Sequence, residues 1–268
     1  MSNIRKPLLG ELLDYGNPFT KGLTKGLVGL WLMNEGSGNT VQDLSGTGHV
    51  STFNNAPTWT SGKYGSGIQF VSGSSQSIFF DDRNVDIQTI AVWAYLENSV
   101  TEQQIVSVYN AATEGQPIQI RQAIIIDASN VMGGTIYAVD TYETIDTPFV
   151  AGWHMIVQTH DYSVASQRVY VDGVRVTGTT GSLGLTSSRQ GITLGADMNA
   201  AADFFDGIIS HCCVYNRALS ASEIQQLYRE PFCMVRTRRR RVIFDEIAGV
   251  PPTSSPYYYR EIASRRIA

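Results

Sequence analysis

The sequence is poor in charged residues, in cysteine and in long apolar runs. Only 16% of its 268 residues are charged, and no uncharged apolar run approaches the roughly 18 residues of a transmembrane helix. The segment MSNIRKPLLGELLD lacks the apolar stretch and the small-residue cleavage site of a signal peptide. Three cysteines, Cys212, Cys213 and Cys233, form neither an even disulfide framework nor a CxxC metal pair. We therefore expect no membrane segment, no export signal and reduced, packed thiols.

What the sequence does contain favours short strands and tight turns. There are 25 Gly, 9 Pro and 13 Tyr, and 43% of the residues are hydrophobic, which is enough for a core and argues against a helical bundle. About a dozen apolar runs separated by turn residues, such as TIAVWAYL at 89–96, predict strands in one continuous block. The predicted fold class is therefore all-β.

Composition divides the chain into three segments: an N-terminal arm at 1–25, a strand-rich body at 26–230 and an Arg-rich tail at 231–268. Residues 229–268 carry a local net charge of +5, whereas residues 1–228 carry −9. An acidic body is not expected to bind nucleic acid, so any contact with a polyanion is assigned to the tail.

Two local motifs give specific structural predictions. In YVDGVRV, Asp172 and Gly173 supply the two positive-φ residues of a type I′ hairpin between alternating flanks. In RALSASEIQQLYRE, Ser220 and Glu223 form a capping box ahead of an apolar helical repeat. We expect one short helix near the C-terminal end of the body.

Several segments, in order, resemble the laminin-G-like, concanavalin-A-like jelly-roll domain. They are GLVGLWLMNEGSGNTVQDLSGTGHVSTF, GKYGSGIQF, TIAVWAYL, GWHMIVQTHD, VYVDGVRV and FDGIISHCCVYNRALSASEIQQLY. The resemblance implies a sandwich of two antiparallel sheets, one convex and one concave, which agrees with the strand count; the composition adds an extended arm at each end. The fold alone does not assign a function, because it hosts lectins, adhesion modules, enzymes and structural parts.

The same resemblance implies a structural calcium ion at a sheet rim, held by a carboxylate and loop carbonyls. The carboxylate that is usual in the final strand, as I-D-E-V, is replaced here by Ser210 in Ile209-Ser210-His211-Cys212. We expect no cofactor, but a structural calcium ion stays open, with Glu35 and Asp43 as its candidate ligands. Asp43 is equally well explained as the cap of its own turn.

The sequence lacks a complete set of catalytic residues for carbohydrate chemistry. Retaining glycosidases need two carboxyl groups about 5 Å apart, and no E-x-D-x-E strand is present. Gln158 and His160 match the Q-x-H strand motif of polysaccharide lyases on this fold, but the lyases' partner strand, which pairs Tyr with Lys, is missing. We predict that the protein is not an enzyme.

Candidate glycan-binding residues lie on rim loops and on one strand face. His154, Gln158 and His160 alternate on one face of the strand at 153–160, and its other face, with Trp153 and Met155, is predicted to be core. A polar sheet face is also explained by solvation or by a subunit contact. Aromatic side chains that could stack on sugar rings are Trp59, Tyr64, Tyr109, Tyr137 and Tyr142.

The tail carries the predicted assembly residues. Its continuation LYREPFCMVRTRRRR resembles the tails of virion proteins of tailed phages and prophages. Basic side chains that can pair with an acidic surface, and tyrosines of the kind enriched at interfaces, are Arg236, Arg238, Arg239, Arg240, Arg241, Tyr257, Tyr258, Tyr259 and Arg260. We expect this tail to clamp another subunit, with a tail that covers its own domain as the alternative.

These observations leave three hypotheses for the function. The favoured hypothesis is a non-enzymatic phage virion protein, a capsid decoration or tail-associated component that assembles in the host cytoplasm and also adheres to glycans. Its expected partners are other virion subunits, further copies of itself and cell-surface glycans, with no membrane partner. The alternative is a free-standing glycan-binding module, and a carbohydrate-active enzyme is the third.

Overall fold

The computed structural model describes residues 4–81, 85–97, 101–110, 119–129, 131–138, 141–161, 163–164, 166–176, 190–197 and 202–235. Contacts between Cα atoms group Met1–Thr237 into one compact unit and Arg238–Ala268 into a second. Residues 4–25 and 231–235, which the sequence assigns to the arm and the tail, therefore belong to the first unit. The predicted assembly residues from Arg236 onwards lie outside the described residues.

The first unit contains two antiparallel sheets. The eight-stranded sheet has the order β13-β12-β11-β6-β15-β4-β3, with β1 also paired to β15. Its strands are β1 (Leu27–Trp31), β3 (Thr58–Gly62), β4 (Gly65–Phe70), β6 (Thr89–Leu96), β11 (Gly152–Asp161), β12 (Ser166–Val171), β13 (Val174–Arg175) and β15 (Gly207–Tyr215).

The seven-stranded sheet has the order β10-β9-β8-β7-β14-β5-β2. Its strands are β2 (Ser51–Asn54), β5 (Ser77–Phe80), β7 (Gln103–Asn110), β8 (Gln119–Ile126), β9 (Val131–Ala138), β10 (Thr141–Pro148) and β14 (Gln190–Leu194). The helical elements are α1 (Lys21–Thr24), α2 (Ala221–Arg229) and a 3-10 turn at Ser72–Ser74. This arrangement confirms the predicted jelly-roll sandwich.

The middle strands of the eight-stranded sheet are buried on both faces, so the described residues form two cores. Along β6, Ile90 and Val92 point into the core between the sheets, while Ala91 and Trp93 belong to a second core on the outer face. Helix α2, the arm and residues 231–235 supply the covering side of that second core, including Leu23, Leu227 and Met234. Side chains alternate across a strand, so a strand buried on both faces is apolar throughout.

The two local motifs fold as predicted. Asp172 and Gly173 have φ values of 51° and 78°, and the flanking residues Val171 and Val174 pair across the turn, as a type I′ hairpin requires. Ser220 accepts a hydrogen bond from the Glu223 backbone N–H, and the Glu223 side chain accepts one from the Ser220 backbone N–H, completing the capping box at α2. Within the described residues, neither helix has the length and apolar character needed to cross a membrane.

Candidate functional site

Both faces of strand β11 are buried: Met155 and Val157 belong to the predicted core face, but the face predicted to line a groove is buried as well. Gln158 and His160 are buried, with exposed fractions of 0% and 1%, and their neighbour on the same face, Ile156, belongs to the core between the sheets. The Gln158 Nε2 donates to the Thr135 carbonyl of the opposing sheet at 2.9 Å. The prediction that these two side chains face a ligand groove is therefore wrong. Polar side chains here serve to tie one sheet to the other.

His154, at the start of β11, is the member of that face that reaches a cleft. Its Nδ1 lies 2.8 Å from Asp172 Oδ2, and because a carboxylate only accepts hydrogen bonds, Nδ1 carries the proton. Asp172 Oδ1 accepts from the Met155 backbone N–H at 3.0 Å. The His154 Nε2 has no hydrogen-bond partner among the residues that the structure describes. The hairpin turn thus fixes both the tautomer and the orientation of His154.

The hydrogen bonds around Asp172 favour the ionised form of its carboxyl group. Burial by itself raises the pKa of Asp172, but the hydrogen bonds from His154 and the Met155 N–H outweigh it, so the pKa lies below its ordinary value. A general acid of glycoside hydrolysis needs the opposite shift. Asp172 is therefore suited to holding His154 and to accepting hydrogen bonds, and unsuited to donating a proton.

The cleft around this pair has a volume of about 530 Å³ and lies where an edge of each sheet meets the other. One wall comes from β10 and the residues after it, including Asp146 and Val150, and the other from β13, including Val174 and Arg175. Val150 and Val174 are exposed by 55% and 69%. The walls thus combine carboxylates and a guanidinium with exposed apolar surface, within the usual size of a small-ligand site.

Of the predicted aromatic residues, the three whose side chains the structure describes, Trp59, Tyr64 and Tyr109, do not line this cleft. Trp59, on the edge strand β3, packs on Phe53, and its indole N–H donates to the Gly38 carbonyl at 2.7 Å. Tyr109, on β7, is only 6% exposed and stacks on Phe79. Tyr137 and Tyr142 occupy paired positions in β9 and β10, but their side chains lie outside the described part of the chain.

Tyr64, in the β3–β4 turn, joins an aromatic cluster on the outer face of the eight-stranded sheet. Its ring lies edge-on to Trp93 and to Phe232, at centroid distances of 5.4 and 5.5 Å. Burial, followed by the nearby Tyr228 and Asp172, raises the pKa of Tyr64 to about 12. Tyr64 also lines a second open cleft, of about 540 Å³, together with Arg5, Lys6 and Lys63.

The implied calcium ion does not fit its candidate ligands. Asp43 Oδ1 accepts from the backbone N–H groups of Leu30 and Ser45, and Oδ2 from Ser45 Oγ and the N–H groups of Gly48 and His49, at 2.8 to 3.1 Å. These five donors occupy the lone pairs that an ion would need. Asp43 is thus the cap of its own loop.

Glu35, the second candidate, lies near a different cation. Its Oε1 accepts from the Gln42 N–H at 2.7 Å, and its Oε2 is buried without a hydrogen-bond partner in the described part of the chain. The Lys6 side chain enters the same region, where burial lowers its pKa to about 7 and Glu35 opposes that shift. Among the described residues, no group of three or more His, Cys, Asp or Glu side chains could hold a metal ion.

Comparison with known proteins identifies the family. The sequence model of the laminin-G family described as the Concanavalin A-like lectin/glucanases superfamily matches residues 70–225. The chain belongs to this superfamily. The comparison with curated proteins found no sequence match to this chain.

Solved structures similar to this concanavalin A-like domain belong to larger proteins of different kinds. Trypanosoma rangeli sialidase in complex with sialic acid matches with a TM-score of 0.58 at 15% identity, over 78% of this chain and 33% of the sialidase. A second similar structure is domain 4 of AbnA, a GH43 extracellular arabinanase from Geobacillus stearothermophilus, in complex with arabinotriose. It matches with a TM-score of 0.58 at 17% identity, over 75% of this chain and 98% of the arabinanase domain.

A third similar structure is the binding domain of botulinum neurotoxin DC in complex with rat synaptotagmin II. It matches with a TM-score of 0.57 at 14% identity, over 77% of this chain and 52% of the neurotoxin domain. The chain thus spans about a third of the sialidase, and almost all of the arabinanase domain. At these identities the likeness shows the fold alone.

Sequence reasoning missed four residues of the two clefts: Asp146, Asp172, Arg175 and Lys6. Asp172 was assigned only to its turn, although the predicted hairpin contained a usable signal. Once β11 and β12 pair antiparallel, with Ile156 opposite Val171, the turn must fall beside His154. No signal in the sequence connects Lys6 with the strands that it reaches.

Proposed function

We propose that this chain is a non-catalytic glycan-binding module whose ligand site is the cleft between β10 and β13. The observation that carries the proposal is the combination, in one open cleft of about 530 Å³, of Asp146, Asp172 and Arg175 with exposed valines. Carboxylates accept hydrogen bonds from sugar hydroxyls, a guanidinium donates to them, and apolar side chains contact the C–H faces of the ring. The arabinotriose-bound domain 4 of AbnA, which matches this chain over 98% of its own length, supports a glycan as the ligand.

The absence of catalysis is supported by two features of the described residues. The Q-x-H side chains are buried between the sheets, where a polysaccharide cannot reach them. Asp172 is held ionised by His154 and the Met155 N–H. We expect no release of reducing ends and no new unsaturated ends from neutral or acidic polysaccharides, and either product would contradict the proposal.

The binding experiment starts from a glycan array and continues with titration calorimetry of any ligand found. Arg175→Ala and Asp146→Asn should each weaken binding about tenfold, the effect of losing one charge-assisted hydrogen bond. Arg5→Ala, an exposed arginine of the other cleft, is the matched control and should bind normally. An array that stays blank at millimolar ligand would refute the glycan function, and normal binding by both cleft variants would refute the site.

A virion assembly role is the second candidate, and the N-terminal arm favours it. Five large apolar side chains of the arm are between 61% and 85% exposed: Leu8, Leu9, Leu12, Tyr15 and Phe19. Exposed apolar surface of this kind marks interaction sites. The proposed partners are virion subunits or further copies of this chain, and the proposed location is a virion assembled in the host cytoplasm.

The assembly experiment must respect the core on the outer face of the sheet. A truncation from residue 232 would remove Met234 and Val235, which are buried, so the deletion should cover only Arg238–Ala268. The assembly role requires a folded body that no longer forms the native oligomer or enters particles. A truncated chain that still does both would refute the role of the tail.

A further inference from the structure

The central strand β15 changes its partner half-way along. It pairs with β4 at Gly207–Ile209 and with β1 from Cys212 to Tyr215. On its other side, the register to β6 shifts between Ile209 and His211, as at a β-bulge. Ser210 therefore lies at a break in the ladder, between the end of one neighbour and the start of the next.

Three backbone carbonyls converge at this break. They belong to Ser210, to Ser66 at the start of β4 and to Met33, which follows β1 with a φ of 49°. The Lys6 Nζ donates to all three, at 3.3 Å for Met33. An ammonium carries three N–H donors, so each carbonyl receives one. Without Lys6, the Ser66 and Ser210 carbonyls would each lose this donor, which is costly, while the Met33 carbonyl would keep the Ser66 hydroxyl at 2.7 Å.

Convergent carbonyl oxygens are also the ligands that hard cations prefer. Further oxygens lie on the same stretches of chain: Asn34 Oδ1, Glu35 Oε2 and Ser210 Oγ are buried and find no hydrogen-bond partner among the described residues. This is an oxygen-rich environment with a covalently attached cation in it. It contains Ser210, the position at which the family resemblance implies a carboxylate for calcium.

We propose that the Lys6 ammonium is the resident cation of a carbonyl-lined site at the junction of β1, β4 and β15, where it replaces the metal ion implied by the family and latches the arm onto the sheet. Two neighbouring hydrogen bonds also hold the arm against the sheet. The Lys6 backbone N–H donates to the Tyr64 carbonyl at 3.1 Å, and the Asn34 side chain donates to the Pro7 carbonyl at 2.9 Å. The proposal does not depend on the glycan function.

The experiment compares wild type, Lys6→Ala, Lys6→Met and Lys21→Ala by thermal unfolding, with EDTA or with millimolar CaCl2, below pH 7, where Lys6 carries its charge. Lys21, an exposed lysine of the same arm, is the control. Wild type and Lys21→Ala should unfold at one temperature in both solutions. Lys6→Ala should unfold several degrees lower in EDTA and recover part of that loss in CaCl2. Lys6→Met should lose stability without recovery, because its side chain fills the space.

Terbium luminescence sensitised by tryptophan gives a second readout, and it should appear only with Lys6→Ala. Wild-type protein stabilised by Ca²⁺ or destabilised by EDTA would overturn the proposal, since a metal would then be the resident cation. Lys6→Ala as stable as wild type would overturn the latch. A loss in Lys6→Ala that CaCl2 does not restore would overturn the cation site. If Lys6→Ala does not fold, the unfolding temperatures of wild type in EDTA and in CaCl2 still show whether a metal ion is the resident cation.

Discussion

Replacing Asp43 with alanine should remove one of the main polar anchors of the loop after β1. The carboxylate accepts five hydrogen bonds, and three of the residues that donate them, Leu30, Ser45 and His49, are buried. A buried donor left without a partner costs about 1–3 kcal/mol. With two or three such groups, we expect a loss of about 4 kcal/mol, or roughly 10 °C in Tm for a chain of this size.

Urea and thermal unfolding in EDTA and in CaCl2 measure this loss. Because the anchor is made of hydrogen bonds, the Asp43→Ala loss should be the same in both solutions, and wild type should respond to neither. Asp43→Asn should lose a similar amount, since its amide group brings donors to face donors. Glu97→Ala, which removes an exposed carboxylate, should change nothing. If EDTA destabilises wild type as much as the Asp43→Ala substitution does, Asp43 is a metal ligand and the reasoning fails.

Three further predictions test other parts of the structure. Gly173→Ala should cost roughly 1–2 kcal/mol in chemical denaturation, because Gly173 has a φ of 78° and a Cβ there would lie 3.3 Å from the Tyr228 ring; an unchanged midpoint would contradict this. Burial raises the pKa of Glu223, but hydrogen bonds from Arg217 and Ser220 lower it overall, below 4.5. The contribution of Glu223 to folding stability is therefore present above pH 4.5 and lost as the pH falls through its folded pKa. In Arg217→Met, Tm should fall less steeply with decreasing pH than in wild type. An unchanged acid dependence of Tm would show that the ion pair contributes nothing. Gln158→Leu should leave glycan titrations unchanged, and a folded variant that loses binding would place the ligand between the sheets.

The strands that the sequence missed share one position in the sheets. The alternation of TIAVWAYL predicts a strand at 89–96, the bounds observed for β6, which lies inside its sheet. The missed strands β2, β3 and β10 each lie at an edge. An edge strand has one neighbour and less buried surface, so its apolar alternation is weaker, as in STFN and TWTSG.

The orientation of β11 shows where pattern reasoning fails. Alternation correctly separated His154, Gln158 and His160 from Met155 and its neighbours, which are core as predicted, but polarity wrongly suggested that the other face was open. Polarity indicates exposure only when one face of a sheet meets water. Here both faces are covered, and Gln158 is satisfied by a carbonyl of the other sheet, a contact that no local pattern encodes. Contacts such as Lys6 with Ser210 depend on the assembled fold in the same way.

The position of β15 has a consequence for how the protein forms during synthesis. β15 is the last strand of its sheet along the chain, yet it lies between β6 and the β4 and β1 strands. While the ribosome is still making residues 207–215, β1 has no partner in the sheet and β4 has only β3. Contacts between such distant parts of a chain form slowly and leave apolar strands open to aggregation meanwhile. The nascent chain is therefore expected to need chaperone protection until β15 has emerged and joined the two halves of the sheet.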